Sequence, residues 1–315
     1  MIIFKNINKF PQKVKNPVVA IGVFDGLHLG HQALMKEAIR KAKLLRGTSI
    51  AMTFYPHPIH VLYSQAHVPL IVSLSHRLKI IEELGVDISV VIPFTKQFSK
   101  LTPEKFVKRY LVDNIGVKAI VIGEDFRFGQ GRSGNWEFFK KLGKKYNFKV
   151  NVIRSVVKGG EVIGSTRIRK LIAAGKLTLA SQLLGRRVSL LGKVVKGEQR
   201  GKSLGFPTAN LNLFNEVIPP HGVYLVRIQI QDKIYNGIAN IGRRPSFNDK
   251  NAKTNLEIHI FDFNKNIYGQ DILVEYVKKI RNEKKFSSKE QLIQQIIRDE
   301  KKAKEIFTKH SLAHV

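Results

Sequence analysis

Residues Val18 to Gln32 read V-V-A-I-G-V-F-D-G-L-H-L-G-H-Q, and no other run in the chain constrains the fold as tightly. Val18 to Phe24 are apolar or Gly with β-branched enrichment, the pattern of a strand buried on both faces. Asp25-Gly26 supplies a tight turn, and His28, Gly30 and His31 stand where the next helix should begin. Glycine lets backbone approach a bulky group, and a helix start offers free N–H donors in a partly positive field. Two imidazoles three residues apart add donors that can follow a phosphate as its charge moves. The stretch therefore reads as a seat for a nucleoside triphosphate, with Gly22, Phe24, Asp25, Gly26 and Gly30 shaping it around His28 and His31. A metal pair with Asp25 as third ligand is the competing reading. Zinc needs three or four well-placed ligands, and the chain has no Cys to offer.

The pattern continues downstream. Ala33 to Leu45 shows helical spacing, and Thr48 to Phe54 is a second buried strand that ends at Tyr55-Pro56-His57-Pro58. Ser75 to Leu84 reads as a helix and Ile88 to Ile92 as a third strand. Thr102 caps a helix over Pro103 to Val112, with Pro at its first position. Ala119 to Ile122 is a fourth strand, leading into G-E-D-F-R-F-G-Q-G at Gly123 to Gly131. Trp136 to Tyr146 is a helix and Phe148 to Val152 a fifth strand. Strands alternating with helices imply a doubly wound, mostly parallel sheet, in which ligands sit beyond the strand C-termini. Ser165-Thr166-Arg167-Ile168-Arg169 then opens another helix, and hydroxyls with arginines at a helix start suit a triphosphate. Taken alone, those five residues fit an ordinary capped helix with exposed arginines better.

From Val188 the grammar changes. Short β-rich runs, Val188 to Val195, Val223 to Ile230, Lys233 to Ile241, Asn255 to Phe261 and Asp271 to Ile280, are separated by Gly, Pro and Asn turns. Such spacing predicts an antiparallel barrel or sandwich. Ser287 to Phe307 reads as a closing amphipathic helix, with Leu292, Ile293, Ile296, Ile297 and Ile306 on its apolar face. Gly197 to Asn210 reads G-E-Q-R-G-K-S-L-G-F-P-T-A-N, and Gly197, Arg200, Gly201 and Lys202 form a basic loop able to wrap phosphates. It is not a Walker A loop, because Lys196 stands where that motif needs glycine. Thr208 and Asn210, two apart on an extended segment, point to one side and offer the hard oxygens that suit Mg²⁺ on a nucleotide. A proline-stiffened polar edge explains that pair as well.

Together these strings resemble the bacterial bifunctional riboflavin kinase/FMN adenylyltransferase (FAD synthetase) family. F-D-G-L-H-L-G-H is similar to its H-x-G-H nucleotidyltransferase signature, and Ser165, Thr166 and Arg169 match its S-S-T-x-x-R segment. In the second half G-F-P-T-A-N resembles the flavokinase signature, whose Thr and Asn help to hold the metal-bound nucleotide. Asn240 to Pro245 matches N-I-G-x-R-P, and Glu257 lies in an L-E-x-H segment. Arg281, Glu283 and Phe286 match R-x-E-x-x-F. The resemblance implies an α/β chain: a Rossmann-like adenylyltransferase domain over residues 1–185, then a riboflavin kinase β-barrel with a closing helix over 186–315. It implies ATP as co-substrate, riboflavin, FMN and FAD as substrates and products, and Mg²⁺ at Thr208 and Asn210. His28, His31 and Glu257 become the catalytic candidates. Arg281, Glu283 and Phe286 are flavin-pocket candidates in the second half, and His57, Asp125 and Phe128 in the first. Val23, Glu124 and Gly164 depart from the residues common at their positions.

Composition sets the outer bounds. A length of 315 residues suits two domains, and 43% hydrophobic content lets each build a core. Zero Cys excludes disulfides and thiolate chemistry. No apolar run approaches membrane-spanning length, and the first ten residues lack a signal-peptide core, so a cytoplasmic location is expected. The formal charge of +30 raises nucleic-acid binding as a rival from another class. Residues 1–185 hold 30 Lys and Arg against 11 Asp and Glu, and residues 186–315 hold 24 against 13. The excess is spread along the chain without a basic tail, which disfavours a nucleic-acid site and fits attraction of polyanionic substrates such as ATP. Oligomeric state leaves no mark in the sequence.

Overall fold

The computed structural model describes the chain except residues 8, 9, 12, 13, 64, 66, 67, 198–200, 202, 203, 214, 215, 244–253 and 313–315, and except the side chains of 243 and 309–312. Arg200 and Lys202 of the basic loop lie outside the described residues, as does the end of the N-I-G-x-R-P stretch. The chain divides into two compact units, Met1–Ile168 and Arg169–Val315.

The first unit is a six-stranded sheet. Its strands are β1 (Ile2–Phe4), β2 (Val18–Ile21), β3 (Ser49–Tyr55), β4 (Ile88–Pro93), β5 (Ala119–Gly123) and β6 (Lys149–Ile153). They lie in the order β1-β4-β3-β2-β5-β6, and every pairing is parallel. Val18, Val19, Ala20 and Ile21 have no solvent exposure, as a central strand covered on both faces requires. Helix α1 (Leu29–Leu44) follows β2. The short α2 (Pro58–Leu62) and α3 (Leu74–Glu83) follow β3. After β4 come α4 (Lys96–Ser99) and α5 (Pro103–Phe106), and α6 (Trp136–Tyr146) follows β5. Strand β2 has β3 on one side and β5 on the other, so the winding reverses between β2 and β5. At that switch point the loops leaving the two strands diverge and open a crevice.

Three local readings need correction. Strand β1, only three residues long, adds a sixth strand beside β4 that periodicity did not reveal. The expected helix over Pro103 to Val112 begins as α5 with Thr102 as its cap, then widens into a π-helical stretch over Val107–Asp113. Gly22, Val23 and Phe24 leave the strand pattern early, since β2 ends at Ile21 and the turn begins there.

Helix α7 (Ser165–Ala173) spans the division, and α8 (Leu177–Leu184) lies in the second unit. That unit is a closed antiparallel barrel of β9 (Ser189–Val195), β10 (Ala209–Asn212), β11 (Gly222–Ile230), β12 (Lys233–Arg243), β13 (Thr254–Ile260) and β14 (Asp271–Arg281). An exposed hairpin of β7 (Val157–Lys158) and β8 (Glu161–Val162) belongs to the first unit. Going round the barrel the order is β10-β13-β12-β11-β14-β9, with every neighbour antiparallel. Closure removes the exposed edges that an open sheet would carry. The last helix, α9 (Lys289–Leu312), packs Ala303, Ile306 and Phe307 against Val223, Leu225, Ile238 and Phe261. Ile297, expected on that apolar face, is instead 52% exposed. Asp299 is buried in its place for a reason given below. No helix among the described residues is long and apolar enough to cross a membrane.

Candidate functional site

The turn after β2 is wound tightly. Phe24, Gly26 and Leu27 have φ of +54°, +82° and +42°, while Phe24 and Leu27 are fully buried. A Cβ at Gly26 would stand 2.8 Å from Ile71 Cδ1, so glycine is needed there for space as well as for its positive φ. The Asp25 carboxylate is 2% exposed, and its Oδ1 accepts from the Ile71 and Val72 N–H groups at 2.9 and 3.4 Å. Asp25 thus ties the turn to the segment preceding α3. Ser165 Oγ donates to the Asp25 carbonyl at 2.9 Å, which brings the start of α7 to the same turn.

His28 caps α1, and its Nδ1 accepts the His31 N–H at 3.4 Å. An accepting Nδ1 leaves the proton of a neutral His28 ring on Nε2. The two rings stack at 3.7 Å, 20° from parallel, and Phe24 meets His31 edge-on at 5.4 Å. A Cβ at Gly30 would press on the His28 ring at 3.2 Å. Burial, with the charges of His28 and Arg77 added, holds His31 well below the ordinary histidine value of 6.5. The pair is therefore suited to presenting neutral donors to a ligand that brings its own negative charge. Thr166 is exposed and Arg169 half-buried on α7.

Beside this turn lies an aromatic pocket of about 440 Å³, lined by Phe54, Phe94, Phe98, Phe106, Phe126 and Phe128 with Val23 at one wall. Phe126 and Phe128 stack at 5.9 Å. An apolar slot with flat walls fits a planar ring system. Of the three candidates in this half, Phe128 is among the residues lining the pocket, and Asp125 and His57 are not. Asp125 is exposed. His57 caps α2, its Nδ1 accepting the Ile59 N–H at 3.1 Å. The other five phenylalanines were missed, because each reads in sequence as ordinary core.

The second unit carries a cleft of about 390 Å³. One transverse row of the barrel forms its floor: Asn210 of β10 pairs with Glu257 of β13, Glu257 with Asn240 of β12, Asn240 with Val223 of β11, and Val223 with Arg281 of β14. Directly paired residues share a face, and all five line the cleft. Leu256, Ile258 and Ile260 alternate with Glu257 and are buried, so the carboxylate turns to the cleft by strand period alone. Asn255 Nδ2 donates to Glu257 Oε1 at 2.9 Å and fixes its orientation. Thr208 and Asn210 face the same space. Gly197 packs directly on the Asn210 amide, and a Cβ at Gly201 would come 3.0 Å from Thr208 Oγ1. Glycine at 197 and 201 lets backbone lie against these two side chains, whose oxygen donors fit a hydrated Mg²⁺ held chiefly by nucleotide phosphates.

Arg281, Glu283 and Phe286 line the opposite wall with Leu292, Ile296 and Asp299 of α9. The Arg281 guanidinium lies 5.8 Å from the Phe286 ring centre. Its Nε and Nη2 each reach Asp299 Oδ2 at 2.8 Å. This ion pair explains why α9 buries the aspartate at position 299. Asn240 opens the N-I-G-x-R-P match, whereas Asn255 and Asp299 carried no signal as site residues, since their roles depend on strand register and helix docking.

The FAD synthetase family model matches residues 10–167, and the riboflavin kinase family model matches residues 184–307. The bifunctional riboflavin kinase/FMN adenylyltransferase of Buchnera aphidicola subsp. Schizaphis graminum is 38% identical over 98% of this chain and 99% of its own length. Proteins of the same name from Escherichia coli K12 and Bacillus subtilis 168 are each 36% identical, over 96% and 92% of both chains. A solved structure described as a macrolide-efflux protein from Streptococcus pneumoniae superposes with a TM-score of 0.82 at 32% identity, covering 96% of this chain and 98% of that one.

Proposed function

The chain belongs to the bifunctional riboflavin kinase/FMN adenylyltransferase family, and on that premise we propose how its residues divide the two reactions. It phosphorylates riboflavin to FMN with ATP, then transfers AMP from a second ATP to FMN, giving FAD and pyrophosphate. We assign the adenylyl transfer to residues 1–185 and the kinase to residues 186–315. The observation that carries the assignment is the barrel row in which Asn210, Glu257 and Arg281 meet in one cleft.

In the kinase, Glu257 accepts the proton of the riboflavin 5′-hydroxyl as that oxygen attacks the γ-phosphorus of ATP and ADP leaves. Asn255 holds the Glu257 carboxylate in place. Thr208 and Asn210 would hold Mg²⁺, which neutralises phosphate charge when bound. Gly197, Arg200, Gly201 and Lys202 are assigned to the nucleotide phosphates. Arg281, Glu283 and Phe286 bound the flavin side of the cleft.

In the adenylyltransferase, a phosphate oxygen of FMN attacks the α-phosphorus of ATP, and pyrophosphate leaves. The nucleophile is already anionic, so no base and no covalent enzyme intermediate are needed. His28 and His31 donate to the α-phosphate and leaving group as negative charge grows there. Ser165, Thr166 and Arg169 are assigned to the triphosphate. The flavin ring is assigned to the aromatic pocket around Phe128 rather than to His57 or Asp125. A cytoplasmic location and attraction of ATP by the basic surface complete the proposal.

The test is a chromatographic time course with riboflavin, ATP and Mg²⁺, beside a second reaction started from FMN. FMN followed by FAD is expected in the first, and FAD alone in the second. FMN without FAD in either reaction would contradict the adenylyltransferase assignment. Strongly salt-dependent RNA binding without ATP turnover would contradict both.

A further inference from the structure

Arg77 on α3 has no solvent exposure. Its neighbours along the helix, Leu78, Ile80 and Ile81, are buried apolar residues, so by position it belongs to the core. Burying a guanidinium is costly, and an apolar side chain of similar volume would fold at least as well. Its Nη1 donates to Thr53 Oγ1 at 3.1 Å and to the Phe54 carbonyl at 3.3 Å. Nε and Nη2 are buried without a hydrogen-bond partner among the described residues. That cost brings no evident return in packing.

The placement of Arg77 supplies a reason. Thr53 Oγ1, having accepted from Arg77, donates to the Val23 carbonyl at 2.9 Å. Val23 is the last residue before the positive-φ turn that delivers His28 and His31, and both Val23 and Phe54 line the aromatic pocket. One cation thus grips the floor shared by the histidine pair and the pocket. Its charge also reaches His31, where it opposes protonation together with burial and His28. Burial holds Arg77 below its ordinary value, and the Asp25 carboxylate partly offsets this by favouring the charged form.

We propose that Arg77 is a positioning residue for adenylyl transfer, holding the Val23 turn through Thr53 and supplying a fixed buried positive charge beneath the His28–His31 pair. The inference rests on the reading of that pair as the adenylyl-transfer site. Arg77 touches neither substrate, so it acts on the chemical step through the histidines and leaves substrate binding to others.

The experiment compares Arg77→Gln, Arg77→Lys, Thr53→Val and His31→Ala in the full chain, with Mg²⁺, measuring FAD formation from FMN and FMN formation from riboflavin. Far-UV circular dichroism and thermal unfolding report whether the first unit is folded, and the kinase reaction, carried by the second unit, normalises the amount of enzyme. Arg77→Gln is expected to lower kcat for FAD formation about 10- to 100-fold, with KM for ATP and FMN held within about threefold. The acid limb of its kcat–pH profile moves to higher pH, because His31 takes a proton more readily once the positive neighbour is gone. Arg77→Lys, which keeps the charge, restores the limb and most of kcat. Thr53→Val lowers kcat about tenfold with the limb in place.

Wild-type FAD formation in Arg77→Gln would overturn the inference, and so would equal losses in the Gln and Lys variants with an unmoved limb. Should Arg77→Gln leave the first unit unfolded, Thr53→Val decides, and wild-type FAD formation there overturns the proposed relay. Undiminished FAD formation in His31→Ala would instead overturn the reading of the site itself. Loss in His31→Ala beside a wild-type Arg77→Gln would overturn the role of Arg77 alone.

Discussion

The rings of His28 and His31 lie face to face, 3.7 Å between centres and 20° from parallel. Two stacked imidazoles cannot both carry a proton cheaply, and burial with Arg77 nearby keeps His31 the more strongly neutral. The consequence for stability has a definite sign. His31 binds a proton less readily in the folded chain than in the unfolded one, so folding is favoured above the unfolded value of 6.5 and that contribution is lost as pH falls below it. Denaturant unfolding of the first unit measured at a series of pH values from 7.5 downward should show the loss. His31→Gln should show a shallower slope over the same range, and an equal slope would contradict the assignment.

Gly26 offers a second test. Its φ of +82° and the 2.8 Å approach of Ile71 leave no room for a methyl group. Gly26→Ala should destabilise the first unit by about 1–3 kcal/mol and displace the turn that aims the histidines. FAD formation from FMN should fall at least about tenfold, while FMN formation from riboflavin persists. Thermal unfolding and the two product assays check this together.

The pairing of Arg281 with Asp299 is a third. Asp299 is 3% exposed, and removing its charge leaves the part-buried Arg281 guanidinium, 16% exposed, without its counter-ion. Asp299→Asn should cost about 3–5 kcal/mol in the second unit, read from denaturant unfolding. At temperatures where the variant is folded, KM for riboflavin should rise, since Arg281 borders the cleft. An unchanged KM would show that Arg281 keeps its position without Asp299.

How much of this was legible in the sequence follows from the range of the interactions involved. The strand–turn–helix at Val18 to Gln32 could be read because every residue in it acts locally. Glycine at a positive φ, a histidine cap and a two-sided strand all leave marks within a few positions. Strand β1 was invisible because three residues carry no measurable period, and α8 because its eight residues lie between stronger signals. Arg77 and Asp299 each stand in a helical run whose local pattern gives a charged residue no mark of burial. Only tertiary packing shows that both are buried. The cleft floor is the clearest case. Asn210, Glu257 and Arg281 could each be nominated from their own motifs, yet their meeting depends on the register of five barrel strands. The phenylalanines around Phe128 were hidden for the opposite reason, since a pocket lining and a core have the same composition.

One chain carries two separate reactions, with Glu257 serving only the first. Glu257→Gln keeps the size and the hydrogen bonding of the side chain while removing the base. The most direct measurement is therefore the product profile of this variant from each starting flavin. From riboflavin, FMN and FAD formation should both fall by about 10²–10⁴, because the second reaction is starved of FMN. From FMN, FAD should form at the wild-type rate. Wild-type FMN formation from riboflavin would remove Glu257 from the chemistry, and loss of FAD formation from FMN would contradict the separation of the two sites.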